Sequence, residues 1–247
     1  TGAGVDYRDE ATNTSIDLGS HTISAVIVAD GTSKTANITT LTDIAARLLT
    51  VSGGMIASDV TTAKVTAANT LVAKQFISST STSDITAITP DFTIDTTGTL
   101  NTTASRYGQV LAQLSKQIQS SGTDLAYAQA TIANSISFSY NAATPASSTM
   151  SLGQAAKDTV FLAKVAQAAQ LSSTTNVSSV LTVQDLIDYG VPGFSAWSAT
   201  RQQDVINRIV NSSDDANSLS TVAQVNGLVT KVKAIGVIQD YKAGTGT

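Results

Sequence analysis

Apolar residues recur three or four positions apart over most of the chain, which is the spacing of one face of an α-helix. The first such segment begins at "TLTD", where we predict Thr40 as the N-cap and Asp43 as its partner in a capping box. The sequence "SGG" at 52–54 is expected to end this helix. A second helix is predicted from about Ser58 to Ile77.

The same spacing predicts further helices towards the C-terminus. They start near Thr103, Asp124 (through about Ile136) and Ser151, and then span Val183–Tyr189, Ala199–Val210 and Leu219–Ile235. Residues 138–151 are predicted to form a loop. The long Ser/Thr-rich connection after the second helix is expected to be an ordered strap, held across the helices by Ile85, Ile88, Phe92 and Ile94.

Residues 15–39 carry a different pattern, with β-branched residues on both sides of Asp30-Gly31. An Asp-Gly pair between such segments indicates a β-hairpin. The predicted fold is therefore mainly α, a helical bundle-like domain with a small N-terminal β-hairpin element. The predicted organisation is an N-terminal β segment at 1–39, a helical domain at 40–150 and a second helical subdomain at 151–247 packed on the first.

Composition narrows the classes of partner. The chain has 14 basic and 18 acidic residues and no cysteine, so we expect neither a basic nucleic-acid interface nor a disulfide framework. Charged residues make up 13% of the chain, and Ser and Thr take their place on the expected surface. The longest apolar stretch, residues 23–29, is too short to cross a bilayer, so membrane insertion is not expected. The polar N-terminus does not resemble a signal peptide, which implies a removed leader or a longer parent chain.

The sequence offers little for catalysis. It contains a single histidine, His21, and a single glutamate, Glu10, and it lacks a phosphate-binding glycine motif. Asp43, Asp59 and Asp185 lie at predicted helix starts, where a carboxylate accepts hydrogen bonds from free N–H groups. We therefore predict no catalytic residue, no cofactor and no metal site.

An enzyme would have to rely on aspartates alone. The aspartates that could serve such chemistry are Asp91, Asp95, Asp214 and Asp215. The last two could also bind Ca²⁺, but no calcium-loop spacing surrounds them, and a solvated loop is the preferred interpretation.

The only tryptophan, Trp197, lies between two short helical patterns. Thr182 and Asp185 match a capping box before the first pattern, and Trp197 falls near the N′ position of the second, from which it could pack onto that helix. The favoured interpretation is a packing role. The alternative is a ligand-binding platform formed by Trp197, Tyr189 and Phe194.

Two groups of segments resemble a known family. "VIVADGTSKTANITTLTDIAARLL", "VTAANTLVAKQF", "DITAITP" and "ASRYGQVLAQLSKQI" are similar to a helical module of very large bacterial secreted surface proteins and adhesins. The stretch "LTVQDLIDYGVPGF" with "DVINRIV" and "DDANSLSTVAQVNGLV" resembles a short helical motif of the same proteins. The matching positions are caps and core residues, and the resemblance implies a shared fold and a location at the cell surface.

These observations predict a non-enzymatic extracellular bacterial surface protein, an adhesive or structural module. In one form of this hypothesis it is a self-assembling subunit of a filament or surface layer, with copies of itself or neighbouring modules as its protein partners. The alternative is a module that binds a glycan or another small ligand through the platform around Trp197.

Overall fold

The chain is mainly α-helical, as predicted. The computed structural model describes residues 7–8, 15–16, 21–29, 31, 33–50, 57–78, 80–92, 102–121, 124–170, 180–211 and 221–242. Within these ranges lie eight α-helices: α1 (Thr40–Arg47), α2 (Thr62–Phe76), α3 (Thr103–Ser121), α4 (Leu125–Asn134), α5 (Gln154–Gln170), α6 (Val183–Tyr189), α7 (Ala199–Asn211) and α8 (Val222–Lys242). None of these helices, within the described ranges, has both the length and the apolar character needed to cross a bilayer.

Two short antiparallel strand pairs accompany the helices. Strand β1 (Tyr7–Arg8) pairs with β2 (Ser15–Ile16), and β3 (Ile136–Ser139) pairs with β4 (Thr149–Leu152). The second pair was not predicted, since residues 138–151 were expected to form a loop. In its register Phe138 lies opposite Met150, so alternate apolar residues of the two strands share one face.

The predicted hairpin around Asp30-Gly31 is wrong, because residues 21–29 and 33–39 form no strand. Their backbone groups bond to side chains and loops instead of to each other. The N–H of Ser24 donates to Oδ1 of Asp43 over 3.0 Å, and the carbonyl of Val26 accepts from Nδ2 of Asn69 over 3.0 Å. These bonds tie the segment to α1 and α2.

The first helix begins one residue earlier than predicted. Thr39, not Thr40, is the N-cap, and its capping box is closed by Thr42 instead of Asp43. The backbone of Thr39 is extended, and its N–H donates to the hydroxyl of Thr42 over 2.8 Å. The Thr39 hydroxyl also meets the hydroxyl of Tyr107 on α3, which is fully buried. Asp43 is thereby released from capping.

The strap prediction is confirmed at Ile85, whereas Phe92 is 44% exposed. Ile85 is fully buried in a short 3₁₀ helix, Ile85–Ala87, capped by Asp84. Further along, the N–H of Asp91 donates to the carbonyl of Ala104 over 2.9 Å. A Cβ at Gly108 would lie 2.1 Å from the carbonyl oxygen of Asp91, so the strap crosses α3 where there is no side chain. Ile94 lies outside the described residues.

Contacts divide the chain into two compact units. Residues up to Phe92 together with Thr102–Val160 form the first unit, and the chain from Phe161 onwards belongs to the second. The boundary falls within α5, ten residues beyond the predicted one, and residues 21–39 belong to the first unit. The first unit contains α1 to α4 and the β3–β4 pair, and its α1 contacts both α2 and α4.

The second unit has its own apolar core. Its buried residues come from the second part of α5, from α6, α7 and α8, and from the segments that flank α6. Helix α7 contacts both α6 and α8. The predicted capping box at the start of α6 is confirmed: Thr182 accepts from the N–H of Asp185, and the carboxylate of Asp185 accepts from the N–H of Thr182. The helix ends at Gly190, whose φ of 91° is accessible to glycine at little cost.

Candidate functional site

The three aromatic residues of the predicted platform lie in the second unit but do not form one surface. Phe194 is fully buried, so its ring does not lie at the surface. The ring of Trp197 lies 5.4 Å from that of Phe194 at an angle of 56°. Tyr189 stacks on Phe161 instead, with ring centroids 4.1 Å apart and an angle of 11°.

Trp197 occupies the predicted N′ position of α7. It follows a 3₁₀ helix, Phe194–Ala196, and precedes Ser198, whose hydroxyl accepts from the N–H of Arg201 at the start of α7. Its side chain is partly buried against the apolar core of the second unit. Nε2 of Gln202 donates to the carbonyl of Phe194 over 3.0 Å and fixes the turn. The arrangement is that of a side chain packed across a helix start.

The face of α6 next to Tyr189 carries an ion pair. Nζ of Lys164 lies 2.5 Å from Oδ1 of Asp185, and the other carboxylate oxygen of Asp185 accepts from the hydroxyl of Thr182 over 2.8 Å. One carboxylate thus caps α6 and joins it to α5.

The single histidine lies in the first unit, partly buried. Nε2 of His21 is 2.8 Å from Oε1 of Gln129, a fully buried side chain of α4. This contact holds the segment before α1 against α4.

Asp43 is buried, with 4% of its side chain exposed. Its carboxylate accepts from the N–H of Ser24 and, over 2.7 Å, from Nε of Arg47 one turn later. Both oxygens are therefore used to join the N-terminal segment to α1. The sequence indicated a carboxylate near a helix start, but not that its partner is 19 residues away.

Asp59 lies before α2 and forms an ion pair instead of a cap. Its Oδ2 is 2.6 Å from Nζ of Lys64, and the hydrogen bond and positive charge of Lys64 lower the pKa of the Asp59 carboxyl. Thr61 is the N-cap of α2 and accepts from the N–H of Lys64. The predicted start near Ser58 is thus a few residues early.

Of the four aspartates that could serve catalysis, only Asp91 is among the described residues. Asp95, Asp214 and Asp215 lie outside the described residues. Asp91 lies at the end of the strap, where its backbone contacts α3. No group of three or more His, Cys, Asp or Glu side chains that could hold a metal ion occurs among the described residues.

A groove that sequence analysis did not predict is open to solvent in the first unit. It lies between α3, α4 and the start of α5 and has a volume of about 240 Å³. Leu114, Ile118, Ile132 and Ala155 contribute to its apolar walls, and Tyr127 and Asp158 also line it. The helical spacing of these apolar residues predicts a stripe that faces inward. No sequence signal distinguishes a stripe that another helix covers from one that is open to solvent.

Comparisons with models of known protein families, with curated proteins and with solved structures found no match for this chain.

Proposed function

We propose that the chain is a non-enzymatic structural or adhesive module of an extracellular bacterial surface protein. The observation that carries this proposal is the use of ionisable side chains as ties within the fold. Asp43 holds the N-terminal segment on α1, His21 bonds to Gln129, and Asp185 joins α6 to α5. Side chains used in this way stabilise the fold instead of facing a reactant.

The surface supports the same proposal. The chain carries a net charge of −4 at pH 7 and few charged residues for its length, which disfavours nucleic acid as a partner. The resemblance of its helical segments to modules of secreted surface proteins points to a position within a larger assembly. We propose copies of the chain or neighbouring modules as its partners.

The arrangement of helices within each unit belongs to the proposal as well. We propose that each unit packs its helices as a small bundle around its own core. The contacts of α1 with α2 and α4, and of α7 with α6 and α8, support this arrangement.

Self-assembly is tested by the mass of the particle in solution. Sedimentation equilibrium on the full chain over a wide concentration range should give masses above the 25.3 kDa of one copy, and electron microscopy should show regular filaments or sheets. A mass that stays at one copy at every concentration would eliminate the self-assembling form of the proposal.

Location is tested separately on the source bacterium. Antibodies raised against the purified chain should label intact, unpermeabilised cells. Labelling that appears only after lysis would contradict an extracellular module of any kind, including one that does not self-assemble.

A further inference from the structure

The groove between α3, α4 and α5 has the chemistry of a small recognition site. Its walls are apolar, and Asp158 is the one charged residue among the described residues that line it. Tyr127 beside it is 64% exposed, which is a large exposure for an aromatic side chain. An exposed apolar concavity with few polar groups is typical of a binding pocket.

The size of the groove limits what it can hold. An apolar cavity of about 150 Å³ binds benzene, so the groove's volume of about 240 Å³ suffices for one aromatic side chain. A sugar fits the walls poorly, because they are mostly apolar and few of its hydroxyls would regain the hydrogen bonds lost to water. The groove is open on one side, which lets the bound group remain attached to a larger molecule.

The carboxylate of Asp158 determines which chemical group is favoured beside the bound aromatic side chain. Oδ1 of Asp158 accepts from Nε2 of Gln154 over 2.6 Å, which fixes the side chain on α5. A carboxylate has about four acceptor positions and can accept from a guanidinium in addition. Charge complementarity therefore favours a cation beside the aromatic group.

We propose that this groove binds an exposed aromatic side chain of a protein partner that is followed by an arginine or lysine, with the cation paired to Asp158. The proposal does not depend on the extracellular location or on self-assembly, and so their failure would leave it intact.

The test is a titration followed by methyl NMR of the full chain. The probe is the blocked dipeptide acetyl-Phe-Arg-amide, and the reporters are the methyl groups of Ile118 and Ile132, with the buried Ile206, which does not line the groove, as the control. We expect saturable shifts at the two reporters and none at Ile206, with a Kd on the order of 1 mM for a single anchor. Replacing Phe of the probe by Ala should abolish the shifts, and replacing Arg by Glu should weaken binding roughly two- to fivefold.

Variants locate the interaction. Asp158→Asn should remove the preference for Arg over Glu while Phe-dependent binding remains. Asp188→Asn is the matched control, because Asp188 also accepts from a glutamine four residues earlier, Gln184, but is not among the residues that line the groove. Ala155→Phe should fill the groove and abolish binding, and Ala128→Leu does the same from α4 if the first variant fails to fold.

Three results would overturn the proposal. The first is equal shifts with acetyl-Ala-Arg-amide, or no saturable shift with the Phe probe. The second is tenfold tighter binding of phenethylammonium than of the dipeptide, which would assign the groove to a small amine. The third is a change in the reporter shifts on dilution without any probe, which would assign it to a second copy of the chain.

Discussion

At the scale of single residues, polar side chains stabilise this fold by forming hydrogen bonds with backbone groups that are not paired to a neighbouring strand. Asp43 accepts from the N–H of Ser24, and Asn69, which is fully buried, donates to the carbonyl of Val26. Without these side chains the segment before α1 would have unpaired polar groups against an apolar surface, each at a cost of about 1–3 kcal/mol.

Replacing Asp43 tests this role. Asp43→Ala should lower the free energy of unfolding by about 2–4 kcal/mol, because it leaves the Ser24 N–H and the Arg47 guanidinium without their acceptor. Urea denaturation gives the value. Asp188→Ala, at an exposed carboxylate bonded to Gln184, is the control and should change it by less than about 0.5 kcal/mol. Equal effects would show that burial of Asp43 contributes nothing.

The ion pair of Asp59 predicts a pH dependence. The pKa of this carboxyl is lower in the folded chain than in the unfolded one, because Lys64 stabilises its charged form. Its contribution to stability is therefore present above the unfolded pKa and is lost as the pH falls through the folded pKa. The effect is small, since 71% of the Asp59 side chain is exposed.

NMR titration of the Asp59 carboxyl measures the effect directly. Lys64→Met should raise its midpoint towards the ordinary aspartate value, and added salt should do the same in the unmodified chain. A midpoint that does not change in the variant would contradict the pairing.

Trp197 distinguishes packing from ligand binding. Its ring is partly buried against the core of the second unit, so Trp197→Ala should cost somewhat less than the roughly 3–5 kcal/mol typical of a fully buried aromatic residue. Trp197→Phe should restore most of that loss. If Trp197→Ala instead leaves the urea midpoint unchanged and abolishes binding on a glycan array, the platform interpretation of Trp197 is correct.

At the scale of elements, helices were predictable and extended segments were not. The starts of α6 and α7 follow from Thr182, Asp185 and the apolar spacing, which are local signals. The strands β3 and β4 are four residues each and rich in serine, so their alternation is weak. Residues 21–29 have strong β-branched character, yet they pair with side chains of α1 and α2, and no local pattern encodes such distant partners.

The crossing of the strap over α3 gives a prediction at this scale. Gly108→Ala places a Cβ against the backbone of Asp91, which cannot move as a flexible side chain would, so we expect a loss of about 2 kcal/mol or more. Gly227→Ala is the matched control. Gly227 lies in α8 with nothing within 4 Å of an added Cβ, so the same substitution should stabilise by about 0.5–1 kcal/mol.

Thermal unfolding of the two variants measures whether Gly108→Ala lowers the stability and Gly227→Ala raises it. A neutral Gly108→Ala would mean that the strap does not lie on α3 in solution. A loss at Gly227 would contradict the open space described around it.

At the scale of the whole molecule, the spacing of apolar residues predicts the class of fold but not the division of the chain into two units. Both units are helical, and α5 reads as one continuous amphipathic segment, so nothing local marks the boundary between Val160 and Phe161. No local signal in the sequence predicts the groove either. Whether an apolar stripe is covered depends on which helices meet it, and that is a property of tertiary packing.

The separate cores predict separate unfolding. The core of the second unit is built from residues beyond Val160, and the first unit buries its own large side chains, among them Leu41 and Tyr107. Trp197 lies in the second unit, so its fluorescence follows that unit, whereas circular dichroism at 222 nm follows the helices of both. Leu186→Ala, at a fully buried position of the second unit, should lower the fluorescence midpoint in urea, with a cost of about 2–5 kcal/mol.

Leu41→Ala, at a fully buried position of the first unit, is the matched variant. It should shift the circular dichroism transition at a similar cost and leave the fluorescence midpoint unchanged, because the side chains around Trp197 are not altered. Coincident transitions in both variants would instead mean that the chain unfolds as one cooperative body. In that case α5, which supplies residues to both units, is the element that couples them, and a proline at an exposed position of α5 such as Lys157 should lower both midpoints together.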